Sequence, residues 1–432
     1  MITKQILEHI EGEASVHFEI KDDLVNFATV SFPHFRGMEN ILEGKNALDA
    51  LVITPRVCGI CGHAHLMATT RAIEDAYKNA GIEFILSDKS KKIREFTLIM
   101  EMIQNHFKWL YMVIMPEVNK LTKLDVPYKP LKGAFASSIA SKAIAVFGGQ
   151  WPHSSYMIPG GVTCDPTYVD VIKAQGYVDE LINFFQKESV GIELDRFLSM
   201  QTCKEFNELD SDIAILERAL IFADMQNKGF ANDRFLIMGE HNFTKVSKLK
   251  HTRASVIDEK YISTVNAYSP NEITYAKNAL YKDEYYECGP LGRMISVSHS
   301  MVKNIHRRYK DSAYSRVMAR VFEIGYLLKY TSNLLNDIDI SENSVVSLVD
   351  IKNISSTGIG IVEAPRGPLI HKIEIEQGII KNYTIITPTQ FNIGSSNINN
   401  LTPVQLAMKG TTQQEALFIF RTFDVCSVCT TH

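Results

Sequence analysis

Four of the seven cysteines form two C-x-x-C pairs. Cys58 and Cys61 lie in Arg56-x-Cys58-x-x-Cys61-x-x-x-His65, and Cys426 and Cys429 lie in Asp424-x-Cys426-x-x-Cys429-x-x-His432. A two-residue spacing turns both sulfurs of a pair to one side, where they can hold one metal. Four thiolates make a soft ligand set, suited to zinc, iron–sulfur or another soft centre. Zinc is the commonest tenant of two such pairs, but three features oppose it. Structural zinc pairs sit about 12–20 residues apart and staple a small module, whereas 368 positions separate Cys58 from Cys426. A chain of 432 residues builds its own core and needs no staple. The flanking Arg56, His65, Asp424 and His432 are charged or titratable, which is useful where protons move and idle in a staple. If both pairs serve one site, the ends of the chain meet in the interior. Residues 1–432 are then one interwoven unit, and the last residue belongs to the core.

The elements that must position these residues are mixed. Val16 to Ile20 alternates, Lys21-Asp22-Asp23 turns, and Leu24 to Val30 runs back as a hairpin. The first cysteine pair leads into a helix from His65 to Asn79, stopped by Gly81. Residues 90–115 read as a long helix. Residues 134–165, richer in Gly, Ser and Pro, read as a structured loop region. Helical periodicity returns over 167–190, 205–227 and 296–336. Around 343–402 the texture changes to Ile, Val, Thr, Gly and Asn, with a second hairpin from His371 to Ile386 turning at Glu376-Gln377-Gly378. A final helix, about 403–418, runs into the last motif. The fold class is α+β, mostly helical, with small sheets near both chain ends.

Composition narrows the function. Apolar residues make up 45% and charged residues 22%, ordinary for a globular protein. The net charge of −4 carries no basic excess, so nucleic acid is not a partner. No run of 18 apolar residues indicates a spanning helix. The start, MITKQILEHIEGE, lacks the apolar core of a secretory signal. The expected place is the cytoplasm, with membrane association through partners, or periplasmic export on a partner's signal, as further routes. Seven is an odd number of cysteines, and a disulfide scaffold is a poor explanation.

The motifs together resemble the large, catalytic subunit of the nickel–iron hydrogenases. That family carries R-x-C-G-x-C-x-x-x-H near its start and D-x-C-x-x-C-x-x-H at its end. Ile10-Glu11-Gly12 resembles its I-E-G segment, and Arg36-Gly37-Met38-Glu39 its R-G-x-E. Pro152-His153 and Pro159-Gly160-Gly161-Val162 match its central P-H and G-G-V elements. Glu287 to Arg293 is similar to its G-P-L-x-R region, Glu363-Ala364-Pro365-Arg366-Gly367 matches E-A-P-R-G, and Pro388 to Asn392 matches P-T-x-W-N with Phe391 for Trp. A lone C-x-x-C is a weak signal, but this ordered set spans the chain.

The resemblance implies a buried nickel–iron centre, with carbon monoxide and two cyanides on iron. Cys58 and Cys426 would bind nickel terminally, and Cys61 and Cys429 would bridge the metals. The implied reaction is the reversible heterolytic cleavage of H2 into protons and electrons, expected mainly in the uptake direction. Heterolysis needs a hydride acceptor beside a base, and the Cys426 thiolate is the implied base. Glu11 would carry the proton away. Arg366 would lie over the open metal face, held by Asp424, as an always-charged planar donor. Thr389 would donate to a cyanide, Pro365 and Leu369 would line an apolar pocket, and His65 would donate to a bridging sulfur. Glu39, His432 and the main-chain carbonyl of Ile385 would hold magnesium or a similar divalent ion. For Glu11 and Glu39 an exposed surface carboxylate is the plain alternative, for Arg366 a turn residue with a surface salt bridge, and for His65 a satisfied core histidine.

Cys164, Cys203 and Cys288 have no C-x-x-C companion and read as small core residues. With no second cysteine set, no G-x-G-x-x-G and no haem motif, electrons must leave through a partner. The implied partner is an iron–sulfur small subunit, in a heterodimer that can assemble further. Some positions depart from the family. Val425 replaces a proline, Glu13 a histidine, Asn105 an aspartate, and Gly394-Ser395-Ser396 a P-R-D. The competing functions are an H2-sensing regulatory subunit with low turnover, a cysteine-free type of respiratory relative, which retention of all four cysteines opposes, and a plain zinc protein.

Overall fold

The computed structural model describes residues 2–9, 12–83, 85–122, 129–206, 208–239, 241–244, 254–346 and 348–432, without the side chains of residues 2–12, Cys203 and Asn242. Helices dominate, and antiparallel three-stranded sheets lie near both chain ends. The first sheet joins Ile2–His9, Gly12–Lys21 and Leu24–Ser31. The hairpin between its last two strands turns on Asp22 and Asp23, both left-handed, a conformation that Asp tolerates. The second sheet joins Ser356–Ala364, Gly367–Glu376 and Ile379–Ile386, with its last turn on Gln377 and Gly378.

The helix Gly62–Asn79 lies against the second sheet. The approach is close enough to require glycine in the strand. A Cβ on Gly358 would stand 2.0 Å from the Ala72 carbonyl oxygen, and one on Gly360 1.9 Å from that of Ala68. This contact fixes the start of the helix, which the first cysteine pair directly precedes, beside the strand end that carries Ala364. The helices Asp88–Lys108, Pro130–Gly148, Tyr168–Phe184 and Ala313–Asn336 pack around this pair of layers. One continuous apolar core runs from Ala14 to Cys429.

Several expected boundaries moved. Residues 134–165 are not a loop region throughout, because Pro130–Gly148 is a helix. Its Gly, Ala and Ser are packing residues: a Cβ on Gly133 would meet Tyr111 Cβ at 2.9 Å. The stretch 296–336 is broken into Pro290–Ser296, Ser300–Tyr309 and Ala313–Asn336, with left-handed Ser298 and Lys310 at the breaks. The stretch 205–227 holds a shorter helix, Asp212–Phe222, and the last helix is divided into Pro403–Met408 and Gln413–Thr422. Gly410 is left-handed between them. The first-motif helix begins at Gly62 rather than at His65.

Helix Ala313–Asn336 carries charges into the core at helical spacing, on Arg316, Arg320 and Glu323. Arg316 pairs with Glu287 at 2.8 Å. Glu323 receives both arms of Arg293 at 2.7 Å and His106 Nε2 at 2.8 Å. Arg293 also donates to Glu363 at 3.0 Å and to the carbonyls of Ala364 and Pro365 at 3.1 and 2.9 Å. Burial raises the Glu323 carboxyl, but Arg293 and His106 outweigh it and hold it down at about 2. One guanidinium thereby ties the Glu363–Arg366 segment to the central helix. Arg293→Leu leaves the buried carboxylates of Glu323 and Glu363 without their arginine, with only His106 and the Met238 amide as partners among the described residues, and is expected to cost about 3–5 kcal/mol, read from the denaturant midpoint. A change under about 1 kcal/mol would show that the network is not under load.

Candidate metal centre

The two cysteine pairs meet. Cys58 and Cys426 place their sulfurs 3.7 Å apart, Cys61 and Cys429 3.6 Å, and Cys426 and Cys429 2.7 Å. All four are buried. Cys58, Cys61 and Cys429 form a group able to hold a metal ion. The first pair sits on the turn before helix Gly62–Asn79, where the amides of Ile60 and Cys61 both donate to Cys58 Sγ at 3.4 Å. In the second pair, Cys426 caps the short helix Ser427–Thr430 and Cys429 lies within it. Arg36 clamps the two turns together. Its guanidinium donates to the carbonyls of Val57 and Arg56 in one and, at 3.3 Å, of Val428 in the other. Its main-chain amide donates to Thr431 at 2.9 Å.

The protein alone does not favour Cys58, Cys61 and Cys429 as thiolates together. Burial raises the Cys58 thiol, but hydrogen bonds from the other three cysteines and the charge of Arg366 bring it well below the usual thiol range. Hydrogen bonding from Cys426 and burial push Cys61 well up, and burial pushes Cys429 up. One thiolate is favoured at the expense of its neighbours, so a fully ionised set needs metal cations between the sulfurs.

Around the sulfurs stand buried polar atoms that lack protein partners. Arg366 spends Nε and Nη2 on Asp424, at 2.9 Å to its carbonyl and 3.2 Å to its carboxylate, while its Nη1 is buried and unpaired. Thr389 Oγ1 and His65 Nε2 are likewise buried without a partner. These groups share a cavity of about 10 Å³ with Cys61, Cys429, Pro365 and Leu369, room for about one water-sized molecule. Donors left open around a thiolate cluster fit a metal carrying small diatomic acceptor ligands, so the residues present suit a nickel–iron group. Asp424 is also held by Arg320 at 2.7 Å. Burial raises its carboxyl, but the two arginines keep it below the usual range.

The second implied metal site has its three groups together. His432 Nε2 lies 2.6 Å from the Ile385 carbonyl and 3.5 Å from Glu39 Oε1, and the Ile385 amide donates to that oxygen at 2.7 Å. Burial raises the Glu39 carboxyl, but His432 and the Ile385 amide more than reverse this.

Other readings meet different outcomes. Glu11 and Ile10 lie outside the described residues, as does the Cys203 side chain. Cys288 is buried and Cys164 half-buried, with no disulfide on either. Asn105, in the place of an aspartate, does not reach Arg366. Its Nδ2 donates to the carbonyls of Ile60 and Glu101 at 2.8 Å each. Arg320 and Glu101 were not singled out from the sequence, and Arg36 and Arg293 stood in family motifs with no role given to them. Glu101 accepts the amides of His63 and Ala64 at 2.8 and 3.0 Å, capping the first-motif helix, and burial pushes its carboxyl up to about 8. The available signal was Arg-x-x-x-Arg-x-x-Glu inside an apolar helix, which places charges on a face that must be buried.

The chain is similar to known proteins in sequence and in fold. The chain is 26% identical to the sulfhydrogenase 2 α subunit of Pyrococcus furiosus, over 98% of this chain and 97% of that protein. It is 25% identical to the periplasmic [NiFeSe] hydrogenase large subunit of Desulfomicrobium baculatum, over 94% and 88%. The fold matches the [NiFeSe] hydrogenase of Desulfovibrio vulgaris Hildenborough with a TM-score of 0.82, covering 100% of this chain and 99% of that one, at 20% identity. The nickel-dependent hydrogenase family model matches residues 36–116 and 134–432, which include both cysteine pairs. With its four sulfurs meeting from opposite chain ends, the chain belongs to the nickel-dependent hydrogenase family.

Proposed function

We propose that this chain is the catalytic subunit of a nickel–iron hydrogenase and carries out H2 ⇌ 2H⁺ + 2e⁻. The observation that carries the reading is the four-sulfur cluster roofed by unpaired polar atoms of Arg366, Thr389 and His65. Cys58, Cys61, Cys426 and Cys429 would hold the nickel–iron pair. The bound metal pair supplies the electrophile that polarises H2 and the sink for its two electrons. Cys426 Sγ would take the proton: held as a thiolate by the bound metals, it stands at the site and needs no side-chain movement. Arg366, always charged, orients the diatomic ligands and offsets negative charge as it develops. Asp424 and Arg320 fix the plane of Arg366. Pro365 and Leu369 keep water from the open face. Glu39, His432 and the Ile385 carbonyl would hold magnesium or a similar ion with hard oxygen ligands. The chain works as one unit, since its centre needs both ends.

Glu11 is the proposed proton carrier. The strand beginning at Gly12, its neighbour in sequence, packs against the Ser427–Thr430 helix that carries Cys429. Glu11→Gln is expected to stop proton exchange with solvent while nickel and iron stay assembled. Normal H2–D2O exchange in that variant would remove Glu11 from the route. Electrons would leave to an iron–sulfur small subunit, because the chain holds no second cysteine set for a cluster. Among the described residues no helix is long and apolar enough to cross a membrane.

Infrared spectroscopy of the purified protein tests the reading. Bands of iron-bound carbon monoxide and cyanide are expected in a window empty of protein absorption. A silent window with stoichiometric zinc would end it.

A further inference from the structure

The long helix Asp88–Lys108 and the residue that follows it reach both cysteine motifs from one face. Asn105 donates to the Ile60 carbonyl in the first motif at 2.8 Å. Trp109, one helical turn on, stands on the same face and reaches the turn that leads into the second. Its indole N–H donates to the Arg421 carbonyl at 2.9 Å. Regular helix ends there, and Trp109–Ile114 widens into a π-helical turn, a rare form that recurs at functional sites. The Arg421 carbonyl has a second donor, the Asp424 amide at 3.1 Å, which closes the turn that puts Asp424 in the left-handed region. The flat face of the same indole lies under Arg320, whose guanidinium carbon is 4.2 Å from the ring centroid. Trp109 and Arg320 are both buried.

The two contacts of the indole act on the two ends of one ion pair. Arg320 Nη1 donates to Asp424 Oδ2 at 2.7 Å. Trp109 holds the cation by its face and the carboxylate through the backbone of its turn. A buried guanidinium has lost its water, and an aromatic face replaces part of what is lost. Asp424 in turn meets Arg366 twice, accepting Nε on its main-chain carbonyl at 2.9 Å and Nη2 on its carboxylate at 3.2 Å. Both contacts shift if the turn shifts. Arg366 Nη1, which has no protein partner, shifts with them, and Arg366 lines the cavity beside Cys61 and Cys429. An aliphatic side chain at position 109 would fill much of the space but offer neither the face nor the N–H.

We infer that Trp109 is a positioning residue for the hydrogenase reaction: by stacking on Arg320 and bracing the Arg421–Asp424 turn, it sets where Arg366 stands beside the sulfur cavity. The inference rests on the nickel–iron reading of the site. The plain alternative is a core tryptophan that only fills space. Trp109→Leu removes the face and the N–H together, whereas Trp109→Phe removes the N–H and keeps an aromatic face. In the holoenzyme with its partner, Trp109→Leu is expected to lower dye-linked turnover about tenfold, and Trp109→Phe about threefold, with nickel and iron retained. Placed on Arg366→Lys, each change is expected to cost less than about twofold, because the group being positioned is gone. A space-filling residue would cost the same fold in both backgrounds, and that result would overturn the inference, as would unchanged turnover in Trp109→Leu. If Trp109→Leu assembles no metal, Trp109→Phe in the two backgrounds decides alone, and equal losses or none would overturn it. Infrared spectra give a second reading. The cyanide bands are expected to shift in Trp109→Phe and to stay unmoved when the same change is added to Arg366→Lys. Equal shifts in both backgrounds would overturn the role of Trp109 with the metal centre intact. No such bands in the unsubstituted holoenzyme would instead overturn the nickel–iron reading, and this role with it.

Discussion

Cys426→Ser abolishes H2–D2O isotope exchange, with a loss of at least about 10³-fold. Cys426 is buried, 3.7 Å from Cys58 and 2.7 Å from Cys429 by sulfur-to-sulfur distance. A serine hydroxyl fits the space, but it is a hard ligand that stays protonated where a thiolate would not. The variant therefore loses both a soft ligand and the base that receives the proton. Mass spectrometry of the gas phase reads the exchange, and metal analysis reads the ligand loss. Exchange within tenfold of the unsubstituted rate would show that another group is the base.

Arg366→Lys is the second large effect, expected to lower turnover by about 10²–10³-fold with nickel and iron retained. Two arms of the guanidinium hold Asp424, and the third, Nη1, is buried and free to act at the site. A lysine ammonium cannot do both from fixed positions. Asp424, already held by Arg320, would draw it away from the metals. Turnover with an artificial dye measures the effect, and an unchanged rate would reduce Arg366 to a structural ion pair.

The parts of the site that could be read from sequence are those with short, rigid spacing. C-x-x-C fixes how two sulfurs face, and the flanking Asp424 and His432 travel with the turn, so these positions are legible in the sequence. The network that holds Arg366 is not. Arg293, Arg320 and Glu323 are charged residues, and charge ordinarily marks a solvent face. Only the fold shows that Arg293 crosses the core to the carbonyls of Ala364 and Pro365. The same limit applies to His371. Its place in a hairpin was legible, but its contact with His65 joins positions 306 residues apart. Among the elements, both hairpins were readable because their turns carry Asp-Asp and Gln-Gly. The helix Pro130–Gly148 was misread because small residues serve loops and tight helix packing alike. The break at Gly410 divided a helix that periodicity alone ran through.

Anomalous diffraction from crystals of the purified holoprotein, collected at the nickel and iron edges, tests the central claim most directly. The account predicts one nickel and one iron peak per chain, adjacent and enclosed by the sulfurs of Cys58, Cys61, Cys426 and Cys429. A lone zinc peak among those sulfurs, or metal bound by only one cysteine pair, would contradict it.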